Sequence, residues 1–291
     1  YLPDASIWLY RTPISRDVTV SPFPRTLVVG RRGPIGEALS RIAIRTFLPI
    51  EFAGRSGPLR MDVRSPEDVE AVLLRSSPEA IIYLVRGDTT AGRDFGGEAA
   101  RDLRTFALAA RAHGARRVVF ASSAAVYGDH SPTPHRESDP LEGTSSYAIE
   151  KIRAERAIDR IEGLSTVSLR VFNVFGPRCD KSLLNALVSG PPPVLSVTPN
   201  FVRDYVHVDD VARAMVRAVG RATVRGAVNI GSGRAVDNTE LAAARPGSFV
   251  WGSEAVRSFS LADVTRARTE LGWWPEIDPI DFVAAGTLPA E

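Results

Sequence analysis

The feature that most constrains the fold is a glycine-spaced turn, VVGRRGPIGEAL (residues 28–39), set between an apolar run and a helical stretch. Gly30, Gly33 and Gly36 recur every third residue. In such a turn the first glycine permits the sharp reversal, the second lets the main chain approach a pyrophosphate, and the third lets helix and strand pack closely. The following helix aims its N-terminal N–H groups at the anion. This combination belongs at the first strand-to-helix junction of a doubly wound sheet.

The surrounding pattern agrees with that placement. Residues 25–30, 48–54, 80–85, 116–123 and 166–172 read as short apolar strands. Residues 36–46, 65–76, 97–114 and 145–163 read as helices between and after them, the second opened by a Ser65 N-cap and the last two closed by glycines. Strands alternating with helices predict a parallel sheet covered on both faces. The predicted class is α/β: a Rossmann-like doubly wound sheet over residues 25–176, then a smaller substrate-binding lobe over 177–291. Segments at about 201–233 return to the sheet. Residues 1–24 precede the first strand as an extension, either poorly ordered or an arm onto a partner.

The end of the second strand selects the cofactor. An acid there would hydrogen-bond the adenosine ribose of NAD. Eighteen residues after Gly36 the chain instead has Gly54, followed by Arg55 and Ser56, while Glu51 lies within the strand. A guanidinium and a hydroxyl suit a 2′-phosphate, since arginine recognises phosphate in a planar, bidentate way. The residues therefore favour NADP(H), with NAD as the alternative. Arg31 or Arg32 adds to the charge, and Asp62, beside Val63, is placed either to reach the adenine or to serve a plain turn. The nominated cofactor set is Gly30, Arg32, Gly33, Ile35, Gly36, Arg55, Ser56, Asp62 and Val63, together with Tyr147 and Lys151.

Reacting groups come from a second motif, SSYAIEK (residues 145–151). The chain holds 34 arginines and only two lysines, so a lysine four residues after Tyr147 stands out. The i, i+4 spacing puts both side chains on one helix face. A free phenol, with a pKa of about 10, is a poor base at neutral pH. A neighbouring ammonium and an oxidised nicotinamide favour its phenolate. Tyr147 then passes a proton to or from a substrate oxygen while hydride moves to or from the nicotinamide. A slim ammonium also suits ribose hydroxyls, where a guanidinium fork would clash. Ser122 and Ser123 end a central strand, where open α/β sheets bind ligands, and supply a hydroxyl to polarise the substrate oxygen.

Composition removes other classes. With 24% charged residues and a net charge of +2, there is no electrostatic footprint for nucleic acid. One cysteine, Cys179, excludes an internal disulfide or a cysteine-rich metal site, so no metal is expected. No apolar run approaches a membrane span and no signal-peptide pattern opens the sequence, which begins at Tyr1. The expected location is the cytoplasm.

Beyond these motifs the chain carries SSAAVYG (122–128), SLRVFNVFGP (168–177), VRDYVHVDDVARAM (202–215), NIGSG (229–233) and DVTRARTELGWWP (263–275). Together they resemble the extended short-chain dehydrogenase/reductases, the NAD-dependent epimerase/dehydratase family of nucleotide-sugar enzymes, over roughly residues 25–285. The resemblance implies Ser123 as catalytic hydroxyl, Tyr147 as acid/base with Lys151 its partner, Asn173 beside the nucleotide-sugar, and Arg203 and Arg257 as diphosphate grips. It also implies a homodimer built on the helices at 97–114 and 147–162, with Leu103, Ala107 and Ala110 either at that interface or in the core.

Departures from the family pattern narrow the chemistry. Ala124 and Ala125 stand where sugar dehydratases carry an acid after the catalytic hydroxyl. Val85-Arg86 and Ala99 replace residues usually found beside the cofactor, and the stretch between Pro177 and Arg203 is short. The expected function is an NADPH-dependent ketoreductase acting on a nucleotide-activated deoxysugar. The alternative is a nucleotide-sugar 4-epimerase, and a third reading is a non-catalytic NADP-binding protein.

Overall fold

The computed structural model describes residues 23–85, 97–129, 133–189, 193–195, 201–247, 249–251 and 258–286. In chain order the strands are β1 (Thr26–Val29), β2 (Ile50–Gly54), β3 (Leu59–Arg60), β4 (Ala80–Tyr83), β5 (Arg117–Ser123), β6 (Ser165–Val171), β7 (Asn173–Phe175), β8 (Val194–Leu195), β9 (Phe201–Arg203), β10 (Tyr205–His207), β11 (Gly226–Ile230), β12 (Val236–Asp237), β13 (Val250–Trp251) and β14 (Ser258–Ser260). The helices are α1 (Pro34–Thr46), α2 (Pro66–Ser76), α3 (Glu98–Ala112), α4 (Ser146–Asp159), α5 (Leu183–Ser189), α6 (Val208–Gly220), α7 (Asn238–Ala244) and α8 (Pro279–Ala285). Residues 1–22 of the extension lie outside the described residues, as do Arg86 and Arg257.

Seven strands form one parallel sheet in the order β11-β6-β5-β4-β1-β2-β3. Chain direction across the sheet reverses at β1, so β1 and β4 are neighbours although β2 and β3 intervene in sequence. The crevice between their carboxyl ends is the topological switch point of a doubly wound fold. Central strands are buried on both faces, as parallel sheets require. Val28, Ile82, Val119 and Leu169 pack with Leu39 of α1 and Val211 and Met215 of α6. Leu27, Val29, Ile81 and Phe120 pack on the other face with Leu73 of α2, Leu103 and Phe106 of α3 and Ile158 of α4. Ala107 and Ala110 are buried there too, so with Leu103 they belong to the core.

Local chemistry sets the helix starts. Pro34 lets α1 begin two residues earlier than its periodicity suggests, because a first-turn proline loses no helical hydrogen bond. Ser65 caps α2, its side chain accepting from the Asp68 N–H at 3.1 Å. A third core, around Phe175, Leu184, Tyr205, Leu241 and Phe282, joins α5, α7 and α8. Short ribbons flank it: β10 with β7, β9 between β12 and β14, and β13 with β8. No described helix is long and apolar enough to cross a membrane.

The junction of β10 with α6 carries a titratable lock. His207 is buried, caps α6 by accepting the Asp209 N–H on Nδ1 at 3.2 Å, and meets the Phe175 ring edge-on at 5.2 Å. A protonated ring would lose that acceptor. Burial pushes His207 down to about 4, against the pull of the Asp209 carboxylate. The unfolded chain takes up this proton near the ordinary value of 6.5, so the folded state is favoured above that pH and loses stability as pH falls towards 4. Burial depresses His135 as well, and it adds to the same slope. Denaturant titrations from pH 7.5 to 4.5 should show stability falling with pH, and a shallower fall in His207→Asn, which keeps a capping side chain. An unchanged slope would contradict the neutral-histidine lock.

Candidate active site

The glycine turn sits at the switch point. Gly30 has φ +105°, and a Cβ there would stand 3.1 Å from the main chain of Leu84 and Val85 at the end of β4. A Cβ on Gly36 would overlap the main chain of Arg31, so this position admits only glycine. Gly33 differs: nothing lies within 4 Å of its missing Cβ. It is also the N-cap of α1, and no side chain occupies the cap. The helix thus presents its N-terminal donors to open space across a bare Cα. A pyrophosphate fits this arrangement, and the residues present suit a dinucleotide.

At the tip of β2, Arg55 and Ser56 are exposed and Gly54 closes the strand. Both loop arginines, Arg31 and Arg32, are exposed. The Arg31 guanidinium lies 5.9 Å from the Phe52 ring centroid, with Nη1 3.9 Å from where a Cβ on Gly57 would stand. Ile35 and Val63 are half-buried on either side. Asp62 accepts from the Arg64 N–H at 3.0 Å and from its guanidinium at 2.8 Å, which hold the carboxyl down at about 2. That fits a turn-stabilising role for Asp62.

The reacting groups converge at the carboxyl end of β5. Ser123 ends the strand and its Oγ accepts from Ala125 N–H at 3.2 Å, capping a single 3₁₀ turn, Ala124–Tyr127. Ser145 caps α4 by accepting the Ala148 N–H at 3.1 Å, and this starts the helix just before Tyr147. Lys151, one turn on, is only 6% exposed. Its ammonium donates to the carbonyl of Ala121 at 2.7 Å, two residues before Ser123, and stands 4.6 Å from the Phe120 ring centroid and 5.8 Å from that of Tyr147. A buried ammonium seated on a strand carbonyl binds α4 to β5 at the level of the serine. Tyr147 remains half-buried at the rim.

Behind these groups lies a buried polar network that sequence reasoning missed. Glu155, one turn beyond Lys151, accepts from Ser122 Oγ and receives both Nε and Nη2 of Arg170, the latter at 2.8 Å. Arg170 also donates to Tyr127 Oη at 2.9 Å, and Tyr127 donates to Asn229 Oδ1 at 2.7 Å. Burial works against the Arg170 charge, but the hydrogen bonds and charge of Glu155 outweigh it. Burial pushes the Tyr127 phenol up to about 12 despite Arg170, so it stays protonated and donates. One ion pair thereby ties α4, β6, the 3₁₀ turn and β11 together. The signal in sequence was a glutamate at the next turn of the Tyr–Lys face; its partner lies fifteen residues away on another element.

The nominated substrate residues form a second group. Asn173, exposed at the start of β7, donates its amide to the Asp204 carbonyl at 2.9 Å. Arg203 stacks 4.3 Å from the Phe201 ring centroid and donates to Ser258 Oγ at 2.8 Å and Asp129 at 3.2 Å. Ala124 is buried in the 3₁₀ turn, with no acid in place beside Ser123. Among the described residues no cluster is placed to hold a metal. Breaking the Glu155–Arg170 pair leaves a buried, uncompensated guanidinium. Glu155→Gln should therefore lower stability by about 3 kcal/mol in a urea titration, and a loss under about 1 kcal/mol would contradict the account.

Comparisons with known proteins agree with this geometry. Residues 26–231 match the family model described as the NAD dependent epimerase/dehydratase family. A UDP-glucose 4-epimerase of Mycolicibacterium smegmatis is 33% identical over 200 residues, covering 61% of this chain and 63% of that protein. One from Corynebacterium glutamicum is 27% identical over 302 residues, covering 87% and 91%. The chain thus spans little more than three fifths of some curated relatives and nearly all of another. Among solved structures, MoeE5 in complex with UDP-glucose and NAD aligns over 89% of this chain and 96% of its own, with TM-score 0.72 and 25% identity. The UDP-N-acetylglucosamine 4-epimerase from Bacillus cereus shares the fold, with TM-score 0.76 at 18% identity over 90% of this chain and 97% of its own. With its glycine turn at the switch point and a match over most of its length, this chain belongs to the NAD-dependent epimerase/dehydratase family of extended short-chain dehydrogenase/reductases.

Proposed function

We propose that this protein is a nucleotide-sugar 4-epimerase, working on a UDP-hexose with a tightly held nicotinamide dinucleotide. The sequence alone favoured net reduction by a ketoreductase. The alternative it carried is better supported, because the relatives are 4-epimerases over as much as 87% of the chain. The observation that carries an enzymatic reading is the seat of Lys151 on the Ala121 carbonyl, between Phe120 and Tyr147 and level with Ser123.

Gly30, Gly33, Gly36 and the N-terminus of α1 would hold the dinucleotide. Bound there, a nicotinamide supplies a reversible hydride acceptor. The chain's own groups handle the proton. Ser123 Oγ hydrogen-bonds the sugar oxygen, and the Tyr147 oxygen takes that oxygen's proton and later returns it. Lys151 keeps a positive charge one turn away, which favours the negative charge developing on the phenol. Asn173 and Arg203 hold the nucleotide end, so the sugar can present its other face without being released. The buried Ala124 leaves no acid to expel a second hydroxyl, which speaks against dehydration. A homodimer through the outer faces of α3 and α4 is part of the same reading.

The cofactor proposal adds a 2′-phosphate. Arg55 at the β2 tip and Arg31 lying over Phe52 give two guanidinium groups where the adenosine ribose would end, and Glu51 is displaced into the strand. Several structural neighbours are complexes with NAD, so a preference for NADP(H) would set this chain apart from them.

Two experiments follow. Tyr147→Phe should abolish interconversion of UDP-glucose and its C4 epimer while dinucleotide binding stays nearly unchanged, and Lys151→Arg should lose most activity with its charge kept. Full turnover in the phenylalanine variant would sink the assignment. Arg55→Ala should weaken NADP⁺ by about tenfold or more and NAD⁺ little, as loss of one charge-assisted phosphate contact implies. Equal effects on the two would refute the 2′-phosphate.

A further inference from the structure

Asp204 is fully buried, yet no step of the chemistry above uses it. Its carboxylate accepts four hydrogen bonds. One oxygen takes the Ser232 N–H and, at 2.8 Å, the Ser232 hydroxyl; the other takes Gly233 N–H at 2.9 Å and Ala262 N–H at 3.1 Å. The approach is close: a Cβ on Gly231 would stand within 2.8 Å of the carboxylate carbon. This explains Gly231 of the NIGSG stretch, which neither the fold nor the proposed chemistry had used.

The main chain of the same residue faces the other way. The Asp204 carbonyl accepts both the Asn173 N–H at 3.1 Å and the Asn173 side-chain amide at 2.9 Å, and its N–H donates to Ser260 at 2.8 Å. Arg203 is its chain neighbour, and β14, which supplies Ser258 to the Arg203 guanidinium, runs beside β9 in parallel register. The two candidate grips for the nucleotide, Asn173 and Arg203, are thus located by one residue whose side chain is clamped to two other segments.

Resting on the nucleotide-sugar reading above, we propose that Asp204 is a positioning residue for the nucleotide diphosphate. Its buried carboxylate fixes residues 231–233 and 262, and its main chain sets Asn173 and Arg203 at the spacing the diphosphate requires. An ionised carboxylate is needed, because every group facing it is a donor. An amide at this position would turn an NH₂ towards N–H groups on one side or the other. Burial pushes this carboxyl up to about 6 in spite of its four donors, which favour the ionised form.

Calorimetric titration of the full chain with UDP tests the proposal. Asp204→Asn should weaken UDP by about tenfold or more, while dinucleotide affinity stays within about twofold. Ser232→Ala, which deletes one hydroxyl donor and spares the main-chain contacts, should weaken UDP by about threefold and raise KM for UDP-glucose with kcat little changed. A purely structural role would lower the melting temperature of both variants without moving the UDP Kd of the folded protein. If Asp204→Asn does not fold, Ser232→Ala decides. Unchanged UDP affinity in folded Ser232→Ala, alongside weakened binding in Asn173→Ala and Arg203→Ala, overturns the positioning role. If the parent chain does not bind UDP, or those two variants bind it normally, the nucleotide reading of this face fails and the proposal falls with it.

Discussion

All seven strands of the central sheet run in one direction, and the rest of the molecule follows from that. A parallel sheet opens all its carboxyl ends on one edge, so the loops leaving β1, β4, β5 and β6 meet there. Gly30 leaves β1 against the end of β4, Ser123 ends β5, and Asn173 follows β6. Residues far apart in sequence become neighbours without any long-range search for side-chain contact. The reversal of chain order at β1 leaves the crevice in which a dinucleotide pyrophosphate fits, over the uncapped start of α1.

A parallel edge alone does not hold side chains to the tolerances that catalysis needs. Here two sets of buried charged groups do that. Lys151 and the Glu155–Arg170 pair lock α4 to the sheet, and Asp204 locks the segments around Asn173 and Arg203. Neither arrangement is the cheapest way to fill a core, because desolvating an ion costs several kcal/mol that an apolar side chain avoids. What these groups add is direction. A carboxylate with four donors, or a guanidinium with three acceptors, permits one geometry where packed methyl groups permit several.

How much of this was legible in the sequence depended on how local the cause was. The strand–helix alternation, the Ser65 cap and the roles of Gly30 and Gly36 could be read because each is decided within a few residues. The Tyr147–Lys151 face was legible from helical spacing. The Glu155–Arg170 pair and the Asp204 clamp were not, since each joins elements whose adjacency only the folded sheet creates. Two- and three-residue strands such as β8, β9 and β12 carry no periodicity and left no trace. Net reduction was favoured over epimerisation on the Arg55 tip of β2 and the missing acid after Ser123, yet both reactions use Ser123, Tyr147 and Lys151, so neither feature separates them.

The central claim is that this site oxidises and re-reduces one carbon of a bound nucleotide-sugar with no net redox change. The most direct measurement follows both quantities in one reaction. UDP-glucose is incubated with the purified protein, the sugar product is identified by NMR, and absorbance at the reduced-nicotinamide band is recorded throughout. The account predicts the C4 epimer approaching an equilibrium ratio while added cofactor is neither consumed nor produced. Stoichiometric cofactor turnover coupled to a net oxidised or reduced sugar, with no epimer formed, would contradict it.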